Sequence, residues 1–200
     1  MLRSRAAITV GILCVVSFTA INVHVARAQS AQPVSIQVSV LGTTIGVGTS
    51  SNTGGIGIEP QFRFNRVARS ESMGTVSLGI GGQWTRHASG PDELTIAGGF
   101  VEPRWVPPVS FADGRVFVYL AARLAVLNQS NNFGSSSSGA AYGGGGGLAI
   151  VLNRQLNLDL GAALVRQSFS DFKYTDGSAG SFRTFSAYAV KAGFSYGIGK

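Results

Sequence analysis

From residue 34 onward the chain alternates apolar residues with small or polar ones, in runs too long to be local accident. Val34, Ile36, Val38 and Val40 alternate with Ser35, Gln37 and Ser39, which predicts a strand with one apolar face. Ile45 and Val47 take the opposite phase, so a β-bulge is expected near Leu41–Gly42. A second strand carries Ile56, Ile58, Phe62 and Phe64 against Gly57, Glu59, Gln61, Arg63 and Asn65; Pro60 cannot donate to a ladder and predicts a local bulge. A third carries Val76, Leu78, Ile80 and Trp84 against Ser77, Gly79, Gly81, Gln83 and Thr85. The fourth, about 94–106, is least regular: Glu102 and Arg104 share the parity of Leu94 and Ile96, so it must slip phase or end before them. The fifth sets Val116, Val118, Leu120, Ala122, Leu124 and Val126 against Arg115, Phe117, Tyr119, Ala121 and Arg123. The sixth runs from Gly143–Gly147 to Leu152, and the seventh sets Leu156, Leu158, Leu160, Ala162 and Leu164 against Asn157, Asp159, Gly161 and Ala163. The eighth sets Tyr188, Val190, Ala192, Phe194, Tyr196 and Ile198 against Arg183, Ala187, Ala189, Lys191, Gly193 and Ser195.

These runs are about twice the length of an average soluble strand and match the roughly 9–11 residues of a tilted membrane-spanning strand. The expected connectors on one side are 48–55, 87–93, 128–142 and 170–181, and on the other 67–74, 107–114 and 153–155. The two longest share a side, as in a membrane barrel with long outward loops. Lipid supplies no hydrogen bonds, so a spanning sheet must close on itself. The reading is an all-β fold: one closed antiparallel up-and-down transmembrane β-barrel of about eight strands over 29–200.

The first 28 residues have a different pattern. Arg3 and Arg5 precede an apolar run from Ala6 to about Ala20, and Ala26-Arg27-Ala28 is a small-x-small site. This is the layout of a secretory signal peptide, with cleavage expected between Ala28 and Gln29. Cys14, the sole cysteine, lies within it.

Composition and charge narrow the picture. Charged residues are 12% of the chain, about half the soluble norm, yet no stretch after residue 28 is apolar enough for a membrane helix. Without Arg3, Arg5 and Arg27 the net charge falls from +7 to +4, and the basic residues stand apart, so no nucleic-acid partner is expected. The charges cluster instead on the polar faces. Glu59, Arg63, Arg123, Asp159, Arg183 and Lys191 are expected to form a polar network in the lumen, with Arg115 and Tyr119 also inward and with Gly and Ala making room. A last hairpin turning near 175 would bring Asp159 beside Lys191. On the other face Phe64, Trp105, Phe194 and Tyr196 at one rim, and Trp84 with Tyr142 at the other, suit an aromatic girdle at the lipid–water boundary.

With these strands, the Ala26-Arg27-Ala28 site and the closing segment Tyr188–Tyr196, the chain resembles the small outer-membrane barrels of the OmpA/OmpX type. The resemblance implies an outer-membrane location in a Gram-negative-type bacterium, outer-membrane lipid around the barrel, and a barrel-insertion machinery as partner during biogenesis. Such barrels commonly end in an aromatic residue; here the last aromatics are Phe194 and Tyr196. No catalytic residues carry over.

Candidate chemistry is sparse. His87, with Ser89, Asp92 and Glu93 nearby, has the residue types of a base–nucleophile pair in a lipid-modifying enzyme, but a short turn lacks the rigid support catalysis needs. A solvated loop histidine is expected. Gly143–Gly147 lacks the Lys-Ser/Thr of a phosphate loop, and no metal-ligand spacing or cofactor motif is present. Asn131-Asn132 and Ser135–Ser138 read as a solvated loop, so loops 128–142 and 170–181 are where an extracellular ligand would bind. The leading functional reading is a non-enzymatic barrel with a structural or surface-interaction role. A narrow solute pore, a lipid-modifying enzyme and a soluble lipocalin-like ligand carrier are the alternatives.

Overall fold

The computed structural model describes residues 32–47, 51–89, 92–132, 134–173, 177–180 and 185–199. The signal-cleavage residues Ala26, Ala28 and Gln29, and Arg183 of the expected network, lie outside them.

Eight long strands carry the fold: β1 (Val34–Val47), β2 (Ser51–Ser70), β3 (Gly74–Ser89), β4 (Asp92–Val106), β5 (Val116–Asn131), β6 (Ser136–Val151), β7 (Leu156–Phe169) and β8 (Phe185–Ile198). Each pairs antiparallel with the next, and β8 pairs back to β1 from Val34↔Ile198 to Ile45↔Ala187. The sheet is therefore a closed meander in which each long strand has a neighbour on both sides, and closure removes the exposed ladder edges that an open sheet would present. Both ends of the barrel chain lie at one rim, because Val34 faces Ile198.

The outward face follows the apolar alternation. Leu120, Leu124 and Val126 of β5 are 59%, 60% and 71% exposed, and the outward residues of β2 and β8 are likewise bare. A water-soluble barrel would turn such side chains inward.

Several expectations are corrected. No bulge interrupts β1: its register with both neighbours is continuous, and Leu41 and Ile45 point inward in the same phase as Ser35 and Gln37. Pro60 causes no bulge either; it sits outward opposite Val38, and the β2–β3 register shifts later, between Phe64 and Ala68. Strand β4 neither slips nor stops, since its register with β3 runs unbroken and Ile96, Phe100, Glu102, Arg104 and Val106 all face the lumen. The reason is common to β1 and β4. The lumen changes from polar to apolar along its length, so inward positions do not share one chemistry.

The connectors are also shorter than expected. The 128–142 segment is mostly hairpin: β5 runs to Asn131 and β6 resumes at Ser136, with Ser130 opposite Ser136. Asn131 closes the turn by accepting at Oδ1 from the Ser135 amide at 2.9 Å. Ser135 and Ser137 are buried rather than solvated. In the 170–181 region two short segments, Phe172–Lys173 and Ala179–Gly180, pair with each other. At the rim of the termini, Ser110–Phe111 adds a short pairing to β5.

Candidate functional site

The lumen is divided along the barrel axis. Toward the rim of the termini it is polar, with Ser35, Gln37, Asn65, Ser77, Asn157 and Ser195 buried, although Val106 and Phe117 form an apolar patch on one wall. At mid-height lies an ionic plug. Beyond it Ile96, Phe100, Ala125, Leu127, Ala141, Val165 and Phe169 form an apolar cluster.

Glu102 is the hub of the plug. Arg63 Nη2 donates to Glu102 Oε1 at 2.7 Å, Arg104 Nη2 to the same oxygen at 3.3 Å, Lys191 Nζ to Oε2 at 3.0 Å, and Arg123 Nη2 also to Oε2. Glu59 takes Arg123 at 2.6 Å and Lys191 at 3.2 Å. Asp159 accepts from Arg104 at 2.5 Å and from the Tyr119 hydroxyl at 2.9 Å. The named members of the plug are three carboxylates and four cations. Taking these charges out of water is costly, and only their mutual contacts offset it.

Glycine placement makes the contacts reachable. Gly79 stands between Arg63 and Glu102 in one row of the sheet. A Cβ there would meet Gln61 Oε1 at 2.4 Å and Arg63 Nη2 at 2.8 Å, so a side chain would displace the bridge. Lys191, Gly161, Gly147 and Tyr119 form a second row. A Cβ on Gly147 or Gly161 would meet the Tyr119 hydroxyl at 2.5 or 2.6 Å. The glycine run of β6 is thus the seat of long lumen side chains, in line with its reading as strand and not phosphate loop.

Two cations lie against rings. The Arg104 guanidinium stacks 3.7 Å from the Tyr119 centroid, and that of Arg123 lies 4.1 Å from the Phe100 centroid. Phe100 is therefore the floor of the apolar half and the lid of the ionic half. An internal cavity of about 30 Å³ beside Glu59, Glu102, Arg123 and Lys191 has room for a water molecule or two and not for a solute.

Glu59, Arg63, Arg123, Asp159 and Lys191 all reach this plug, and Glu102 and Arg104 join it. Sequence reasoning flagged the last two only as misfits; their unusual polarity in an otherwise apolar phase was the available signal. The register expected for Asp159 and Lys191 is corrected: Asp159 faces Gly193 and Lys191 faces Gly161, so the two stand diagonally on the same inward face and not directly opposite. Arg115 is also corrected: it stands exposed in the turn before β5.

His87 is not a solvated loop residue. It lies on β3, 1% exposed, facing the lumen, with Nε2 3.4 Å from Thr43 Oγ1 and 3.3 Å from Thr85 Oγ1. Glu93 points elsewhere and pairs on the outer surface with Arg86. Strand alternation separates the two, since 86 and 87 face opposite sides. The side chains of Ser89 and Asp92 are outside the described residues.

Of the girdle residues, Phe64, Trp105, Phe194 and Tyr196 are exposed toward the rim of the termini, and Trp84 and Tyr142 are exposed higher on the wall. Trp105 Nε1 donates to the Met73 carbonyl at 2.6 Å, and the Tyr196 hydroxyl to Gln155 Oε1 at 3.1 Å, so polar tips are satisfied while ring bodies remain bare.

No protein-family model matches the chain, and no curated relative matches it. Among solved structures it is similar to the Neisserial surface protein A, with 13% identity and a TM-score of 0.57, covering 85% of this chain and 100% of that one. Ail, the attachment invasion locus protein of Yersinia pestis, is 11% identical over 82% of this chain and 97% of its own, at a TM-score of 0.44. A major outer membrane protein from Thermus thermophilus is 12% identical over 82% of this chain and 98% of its own, at 0.43. With its eight-stranded closed meander and the match over the whole Neisserial protein, the chain has the fold of the small outer-membrane β-barrels.

Proposed function

We propose that the chain is exported by residues 1–28 and resides in the outer membrane of a Gram-negative-type bacterium. There it acts as a non-enzymatic barrel with a structural or surface-interaction role. The observation that carries this reading is the inverted distribution of chemistry: bulky apolar side chains cover the outside of a closed sheet, while three carboxylates and four cations are ion-paired inside it. A bilayer satisfies that outer face, and the closed ladder satisfies the backbone. Outer-membrane lipid is then the permanent partner, and an insertion machinery the transient one. The exposed rings near the rim of the termini, with Trp84 and Tyr142 above, act as the girdle. Any extracellular ligand meets the rim opposite the termini, at the 128–142 and 170–181 connections.

The plug and the apolar cluster above it argue against a solute pore, and the opposed directions of His87 and Glu93 argue against a His–acid catalytic pair. Envelope fractionation tests the location: the folded protein leaves the envelope only with detergent and shifts in gel migration on boiling. Release with the soluble periplasmic fraction overturns the reading. Planar-bilayer recording tests the sealed lumen, and steady unit conductance from the unaltered protein overturns that part.

A further inference from the structure

The outer wall is not uniformly bulky. Where β8, β1, β2 and β3 run toward the rim opposite the termini, outward positions lose their side chains. One row of the sheet reads Val190, Gly42, Ile56, Arg86, and the next places Thr44 between Tyr188 and Gly54. The gaps at Gly42 and Gly54 open a recess of about 690 Å³ between Val190 and Tyr188 on one side and Ile56 and Arg86 on the other. A comparable recess across β3–β6, lined by Ile80, Leu124 and Tyr142 among others, contains no charged residue. The β8–β3 recess differs in ending on a guanidinium.

We propose that this recess holds one molecule of a phosphate-bearing glycolipid of the outer leaflet, with an acyl chain along Gly42 and Gly54 and a phosphate on Arg86. The proposal rests on the membrane reading above. The apolar walls suit a hydrocarbon chain, and an arginine fork is matched to phosphate oxygens. Glu93 holds the guanidinium outward on the wall through Nε and Nη2. That pair is exposed, with side chains 52% and 41% accessible, and exposed pairs yield readily to a stronger anion. Tyr188 places an amphipathic ring on the opposite wall of the recess, on β8.

Gly54 supplies a clean test, because a Cβ built on it meets nothing within 4 Å. Gly54→Leu fills the recess without disturbing the ladder. The protein in zwitterionic detergent is mixed with diphosphoryl lipid A, with dephosphorylated lipid A, or with inorganic phosphate, and bound mass is read by native mass spectrometry. The expected result is one retained diphosphoryl lipid A, retention weaker by about tenfold for the dephosphorylated form, and none for inorganic phosphate. Gly54→Leu and Arg86→Gln each weaken retention by about tenfold, while Ala140→Leu on the other wall does not, and all keep the boiling-dependent gel shift. Undiminished retention by Gly54→Leu, equal retention of both lipid forms, or a dimer mass in place of the lipid adduct overturns the proposal. Failure of the membrane reading itself shows separately, as a protein that fractionates without detergent.

Discussion

The two halves of the lumen share one wall and one pleat but are filled by different physics. At mid-height, Glu102 gathers Arg63, Arg104, Arg123 and Lys191 through directional contacts. Above it, Ile96, Leu127, Val165 and Phe169 pack as an apolar cluster against one side of the bore, with Thr85, His87 and Gln129 buried beside them. The outward face of β5 gives no hint of the change, with Leu120, Leu124 and Val126 all exposed along it. A barrel in lipid needs a uniform exterior, whereas its interior needs only to be filled and satisfied. The ionic half depends on each partner being present, because an uncompensated buried charge is costly. The apolar half depends on volume, and volume-conserving exchanges are tolerated.

Glu102→Gln breaks this contrast most sharply. It removes the charge that four cations share, and the expected loss is about 4–5 kcal/mol in denaturant unfolding of the refolded protein. Adding Arg63→Met recovers part of that loss, since it removes one of the cations left uncompensated; strict additivity of the two changes would refute the hub. Phe100→Ala has the next effect, about 3 kcal/mol, because it empties volume in the apolar half and uncovers Arg123. Phe100→Leu should cost less than about 1.5 kcal/mol, and equal losses for the two would show that volume is not what Phe100 contributes. The smallest effect belongs to the outer tip. Gln129 donates from Nε2 to Ser137 Oγ at 3.0 Å, while its Oε1 has no partner among the described residues. Gln129→Ala is therefore expected to cost about 1 kcal/mol and leave the Glu102 and Phe100 effects unchanged.

Strand number and the outward face were legible in the sequence because each outward side chain meets the same surroundings. Leu120, Leu124, Tyr188 and Val190 could be assigned from parity alone. Inward residues obeyed no such rule. Leu41 and Ile45 suggested a bulge, and Ile96 beside Glu102 suggested a phase slip, because both strands cross from the polar to the apolar zone. His87 looks like a loop residue in the sequence because the hairpins extend further than the turn signals imply.

The sequence by itself determined a long-stranded sheet with one greasy face, and hence a closed barrel with a cluster of charges within. Only the tertiary structure decided which charges meet. Asp159 finds Arg104 and Tyr119 from across the bore, and Lys191 finds Glu59 and Glu102. Such partners are set by the register and curvature of all eight strands together, and a two-residue error in one hairpin is enough to mispair them.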